Sequence, residues 1–129
     1  MANQFVVELK NTPGGLATLA EALADRGIDL RAIGGGGIGD SGHIIMTTAD
    51  DDAAREILQA GGYTFIEGES ILTEVDDRPG GMARLSRALA DAGVNIYGHL
   101  FLGRWGDRAM FAFVVDDPDR ARPILERKA

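Results

Sequence analysis

Apolar positions along this chain alternate between two periods, and the alternation occurs twice. Phe5-Val6-Val7-Glu8-Leu9 is a short apolar, β-branched run that predicts a strand. Leu16, Leu19, Ala20 and Leu23 then recur at the spacing of one buried helix face, with Glu21, Asp25 and Arg26 off it. Gly27 is the expected stop. Ile28 to Ile33 predict a second strand, Gly34 to Gly42 a glycine-rich hairpin connection, and His43 to Thr48 a third strand. Asp50-Asp51-Asp52 places acids where a helix dipole favours them. Ala53, Ala54, Ile57 and Leu58 give that helix its apolar face, Gly61-Gly62 ends it, and Tyr63 to Ile66 predict a fourth strand.

The order β-α-β-β-α-β is the split βαβ arrangement called ferredoxin-like. The series then restarts. Ile71 to Val75 predict a strand, Pro79 opens a helix with Met82, Leu85, Leu89 and Ala90 on one face, and Gly93 closes it. Val94-Asn95-Ile96 parallels Ile28-Asp29-Leu30, Ala109 to Val115 parallel Gly42 to Thr48, and Asp117-Pro118-Asp119 repeats the acidic helix start. Gly14 to Gly80 and Gly27 to Gly93 are each 66 residues apart, whereas Gly39 to Gly106 is 67, which predicts a one-residue insertion in the second hairpin. The pattern is a duplication: an α+β chain with one repeat over 1–67 and a second over 68–129, packed as a pseudo-dimer with a continuous sheet.

The second repeat is expected to lack its fourth strand, leaving a sheet edge for another copy of the chain, so a homodimer is expected. Pro123, past the first turn of its helix, predicts a short or kinked element. At the cap position of the first helix Thr12 is the expected N-cap, with Pro13 at the first helical position; Arg78 replaces Thr12 in the second copy.

Composition narrows the function. The 129 residues carry a formal net charge of −7 and no Cys. An acidic chain without a basic tract is a poor partner for nucleic acid or an anionic membrane. Without Cys there is no thiolate chemistry or disulfide framework, and neither a membrane-length apolar run nor a signal-peptide pattern is present, so a cytoplasmic location is expected.

The turns carry the candidate chemistry. Asn11-Thr12-Pro13-Gly14-Gly15-Leu16 and Asp77-Arg78-Pro79-Gly80-Gly81-Met82 each lead from a strand into a helix. A helix start presents backbone N–H groups that suit a carboxylate, and glycine lets a ligand approach the backbone. The plainer reading is that Pro-Gly-Gly only makes a tight turn.

Other motifs are weaker. Gly34 to Gly39 spell G-x-G-x-x-G but lead into a strand rather than a helix, unlike a dinucleotide site; they are read as a flexible hairpin. His43 and His99 lack companions for a metal site, so no metal and no cofactor are expected. His99 follows Asn95 by an even spacing, which puts both on one strand face. Trp105 at the second hairpin, flanked by Arg104 and Arg108, is either a contact residue or folded onto the sheet. No nucleophile–base pair is evident, so no catalytic residue is assigned.

With [Asn/Asp]-x-Pro-Gly-Gly opening each repeat and Gly-[Ile/Val]-[Asp/Asn]-[Leu/Ile] closing each first helix, residues 4 to 126 resemble tandem ACT domains. The resemblance implies a non-catalytic regulatory module that binds a small metabolite, most often an amino acid, between two ACT units. It implies that Asn11 and Asn95 hold one ligand, with Thr12, Gly14, Gly15 and Leu16 around it. It assigns Asp77, Gly80, Gly81, Met82 and Asp29 to a second, two-carboxylate site that is weak, different or empty. The implied partners are an amino acid, a second copy of the chain and a regulated enzyme. The alternatives are an interaction subunit without its own ligand, and a small enzyme using His99.

Overall fold

The computed structural model describes residues 2–126. The chain runs β1 (Asn3–Lys10), α1 (Gly15–Asp25), β2 (Leu30–Ile38), β3 (Ser41–Thr48), α2 (Asp51–Ala60), β4 (Phe65–Glu69), β5 (Ile71–Asp76), α3 (Gly81–Asp91), β6 (Ile96–Trp105), β7 (Arg108–Val115) and α4 (Pro118–Leu125). It divides into two compact units, Met1–Gly68 and Glu69–Ala129. Where the duplicated pattern predicts one continuous sheet, hydrogen bonding divides the described strands into two, ordered β2-β3-β1-β4 and β5-β7-β6. Each is the split βαβ topology, with β3 antiparallel to both β1 and β2, and β7 antiparallel to both β5 and β6. Among the described residues no strand follows α4; residues 127–129, at the expected open end of the second repeat, lie outside them.

The first core lies on the helix-bearing face of its sheet. Phe5 and Val7 pair with Met46 and Ile44, and all four are buried with Leu19, Leu23 and Leu58. The second core matches it, with Ile71, Leu89, Phe113, Val115 and Leu125. Burying such side chains drives the folding of each unit, at roughly 1.5–3 kcal/mol apiece relative to exposure. Leu16 does not belong to the buried face assigned from its spacing: it is 48% exposed. Ala90 is exposed too, one position round the helix from the fully buried Leu89.

Element boundaries moved for identifiable reasons. Ile28 N–H bonds to Leu23 O and closes α1, so β2 starts at Leu30 rather than Ile28. Tyr63 N–H likewise bonds to Leu58 O at the exit of α2, which delays β4 to Phe65. The glycine run is no flexible connection. Gly34, Gly35, Gly36 and Gly37 pair with Ile45, Ile44, His43 and Gly42 as ordinary members of β2, and the turn is confined to Gly39-Asp40. The extra residue of the second repeat is not in the hairpin turn either. Gly106-Asp107 matches Gly39-Asp40, and the insertion appears as a β-bulge between Phe101 and Gly103 that β2 lacks. Pro123 stands inside an eight-residue α4, shorter than the ten-residue α2.

Candidate functional site

The two strand-to-helix turns have the same main-chain wiring. Asn11 N–H bonds to Asp40 O at 3.0 Å, Thr12 N–H to Lys10 O at 2.9 Å, Gly15 N–H to Thr12 O at 3.2 Å and Thr18 N–H to Gly14 O at 3.0 Å. In the second repeat Asp77 bonds to Asp107 O, Arg78 to Asp76 O, Gly81 to Arg78 O and Arg84 to Gly80 O. This corrects the expected capping. Thr12 and Arg78 are not N-caps, and neither Pro13 nor Pro79 opens a helix. The N-caps are Gly14, at φ 89°, and Gly80, at φ 92°, and neither helix has a side-chain cap. The chain must enter the left-handed region before the helix starts, and there a Cβ costs about 1–2 kcal/mol. One turn of helix is therefore replaced by a Pro-Gly turn, and Gly15 spends its N–H on Thr12. The amides of Leu16 and Ala17 then lie in the first turn of α1, where a helix leaves N–H groups without intrahelical partners.

Beside the first turn is a groove of about 440 Å³ bordered by Asn11, Thr12, Leu16, Ile33, Gly35, Gly37 and Ile44. Its floor exists because of the glycines. Gly35 and Gly37 pair with the buried Ile44 and Gly42, so they face the helices. At Gly37 a Cβ would fall 2.5–2.7 Å from the Asn11 side-chain amide; at Gly35 it would fall 2.3 Å from His43 O. Asn11 thus lies flat on a strand with no side chains beneath it. Its Nδ2 donates to Gly39 O at 2.9 Å, which leaves Oδ1 as the accepting atom of that side chain. Leu16 and Ile33, 48% and 47% exposed, form the apolar walls. A larger cleft of about 650 Å³ opens nearby against Lys10, Gly15, Thr18, Tyr63 and Thr64. It mixes Glu8, Lys10 and Asp40 and contains neither Asn11 nor the glycine floor, so the smaller groove is the better-built candidate.

The second turn is different. Asp77 Oδ2 accepts from Arg104 Nε at 2.8 Å. The Arg104 guanidinium carbon sits 4.8 Å from the centre of the Phe101 ring. Asp76 is paired with Arg108, with Arg78 at 3.3 Å and with Arg84 at 3.8 Å. Asp29 has its own cation, Arg31, at 3.4 Å. The two carboxylates assigned to a second site are therefore each neutralised within their own repeat. Gly81 is essential to the turn, because a Cβ there would be 2.2 Å from Asp76 O. Met82 is exposed like its counterpart Leu16.

His99 and Asn95 do not share a strand face by spacing. Asn95 precedes β6, and a bulge between Ile96 and Gly98 breaks the period. Asn95 N–H donates to Asp116 Oδ1 at 2.9 Å. His99 pairs with Phe113 and lies with its ring 6.2 Å from that residue's ring. The acidic helix starts are caps: Asp50 Oδ1 accepts from Ala53 N–H and Asp117 Oδ1 from Arg120 N–H, both at 3.1 Å. Among the described residues no three His, Asp or Glu side chains converge as a metal site. Trp105 ends β6 and is 60% exposed. No described helix is long and apolar enough to cross a membrane.

What sequence reading missed is the floor of the groove. The signal was present as the alternation of Ile33, Gly35 and Gly37, but a four-glycine run reads as a loop.

No curated protein matches the sequence. Among solved structures, a protein from Bacteroides thetaiotaomicron is 22% identical with a TM-score of 0.71, covering 97% of this chain and 86% of that one. The regulatory subunit of aspartate kinase from Thermus flavus is 21% identical with a TM-score of 0.66, covering 98% and 92%. That from Thermus thermophilus, in a ligand-free form, is 22% identical with a TM-score of 0.62, covering 97% and 89%. These likenesses concern the fold. The family model of the ACT domain matches residues 4–60, the span that holds the first turn and the whole glycine floor, so the first repeat is similar to an ACT domain.

Proposed function

We propose that the first repeat binds an amino acid in the groove between the Asn11–Leu16 turn and β2, and that occupancy regulates an enzyme partner or the chain's own association. The observation that supports it is the placement of Asn11 on a side-chain-free floor, beside the first amides of α1. The amides of Leu16 and Ala17 suit an α-carboxylate. Asn11 Oδ1 suits the ammonium. The ligand's side chain lies over Gly35 and Gly37 between Leu16 and Ile33, walls that favour an uncharged group. The match of residues 4–60 to the ACT domain and the fold shared with aspartate kinase regulatory subunits agree with this role.

Thermal shift against the twenty amino acids tests it, because a ligand that prefers the native state must stabilise it, by about 2.7 kcal/mol at 100 times its Kd. Asn11→Ala is expected to abolish the shift. Asn95→Ala tests the second side chain that the family resemblance assigns. A shift that survives Asn11→Ala undiminished would place the ligand elsewhere. The exposed Trp105 favours a second reading, an interaction module with no ligand of its own; absence of any shift, with a partner captured through Trp105, would support that reading.

A further inference from the structure

We infer that Phe101 and Arg104 decide which of the two turns is open to a ligand: they fill the second groove with the chain's own side chains. The strand registers carry the argument. Gly35 pairs with Ile44, and Phe101 pairs with Phe111, the residue equivalent to Ile44 in the second repeat. Arg104 pairs with Ala109, the equivalent of Gly42, which is the partner of Gly37. The two positions that are glycine in the first groove are therefore phenylalanine and arginine in the second.

Their contacts are those of an occupant. The Phe101 ring packs edge-on against Phe111 at 5.5 Å. Arg104 lies over that ring and donates to Asp77, the equivalent of Asn11. The side chain on which a ligand's cation would rest at the second turn is already bonded to a cation. The inserted residue makes this possible. Side chains alternate faces along a strand, so residues three apart point opposite ways. The bulge between Phe101 and Gly103, with Gly103 at φ 144°, shifts the period by one and returns Arg104 to the face of Phe101. Loss of that one residue would turn the guanidinium away from the groove.

That the turns hold ligands rests on the function proposed above; that Arg104 fills its groove does not. The two are separated by NMR of the full chain. Arg104 Nε–H is expected to resonate away from the random-coil arginine position, shifted by the Phe101 ring, and to return toward it in Asp77→Asn and in Phe101→Leu. A random-coil Arg104 Nε–H in the unsubstituted chain overturns the inference. Each of the twenty amino acids is then titrated at millimolar concentration while the amides of Gly14–Leu16 and Gly80–Met82 are followed. Responses are expected at the first turn alone. In Arg104→Ala, and more fully in Phe101→Gly/Arg104→Gly, the second turn is expected to respond as well, because the ion pair and cation–π contact that occupy it are gone. A response at Gly80–Met82 with Arg104 in place, or none after Arg104→Ala while the first turn responds, overturns the inference. Silence at Gly14–Leu16 in the unsubstituted chain counts against the proposed function, and the Arg104 resonance then decides the closure by itself.

Discussion

Arg104 Nε lies 2.8 Å from Asp77 Oδ2, at the place where the first repeat sets Asn11 against Gly37. Two copies of one turn, with identical main-chain hydrogen bonds, thus differ in what stands in front of them. One faces a bare strand and the other a guanidinium stacked on a phenyl ring.

The floor of the first groove is expected to separate binding from stability. In Gly37→Leu the new Cβ meets the end of the exposed Asn11 side chain, which can swing away. The loss is the hydrogen bond to Gly39, about 1 kcal/mol, while ligand-dependent stabilisation disappears. In Gly35→Ala the new Cβ meets backbone at His43 O, and about 1–3 kcal/mol of stability is expected to go. Urea denaturation with and without amino acid reads both.

Capping gives a second test. Asp50→Ala removes the side chain that accepts from Ala53 N–H and is expected to cost about 1 kcal/mol. Asp117→Ala is expected to match it. Thr12→Ala is expected to be nearly neutral in the same denaturation experiment, because Thr12 does not cap α1. A loss equal to that of Asp50→Ala would restore Thr12 as the cap.

Gly14→Ala isolates backbone strain. Nothing lies within 4 Å of a Cβ at that position, so crowding contributes nothing. With φ at 89° the expected loss is about 1–2 kcal/mol. A loss below about 0.5 kcal/mol would mean that the turn rearranges, and crystallographic φ at residue 14 would show it.

Acid dependence is expected from Glu67. Arg55 donates to it from Nε at 2.6 Å and from Nη2 at 2.7 Å, and Asn3 Nδ2 donates at 2.7 Å. The Arg55 hydrogen bonds hold its carboxyl below the ordinary 4.5, with burial acting in the opposite sense. A lowered folded-state pKa means that the contribution is complete above the unfolded value and is lost as pH falls through the folded one. Glu67→Gln is therefore expected to unfold at lower urea than the unsubstituted chain at pH 7, with the gap closing as pH falls below 4.5. A gap that stays constant into acid would show that packing, not charge, is lost.

Repeat, topology and core were legible in the sequence because each rests on local patterning. Phe5, Val7, Ile44 and Met46 alternate along their strands, Leu19 and Leu23 share one helix face, and Gly27 and Gly93 terminate helices at matching places. Those signals act over a few residues, and the duplication states them twice. The Asn11 turn was legible for the same reason. What tertiary structure decided was everything set by strand register. Four glycines carry no periodic signal, and only pairing with β3 makes them strand and turns Gly35 and Gly37 toward the helices. One inserted residue is a count in the sequence; pairing with β7 places it before Gly103 as a bulge and brings Arg104 round to Phe101 and Asp77. The chain by itself determined that there are two turns. Hydrogen-bond register between strands distant in sequence decided that one is bare and the other filled, because a shift of one residue along a strand exchanges its two faces.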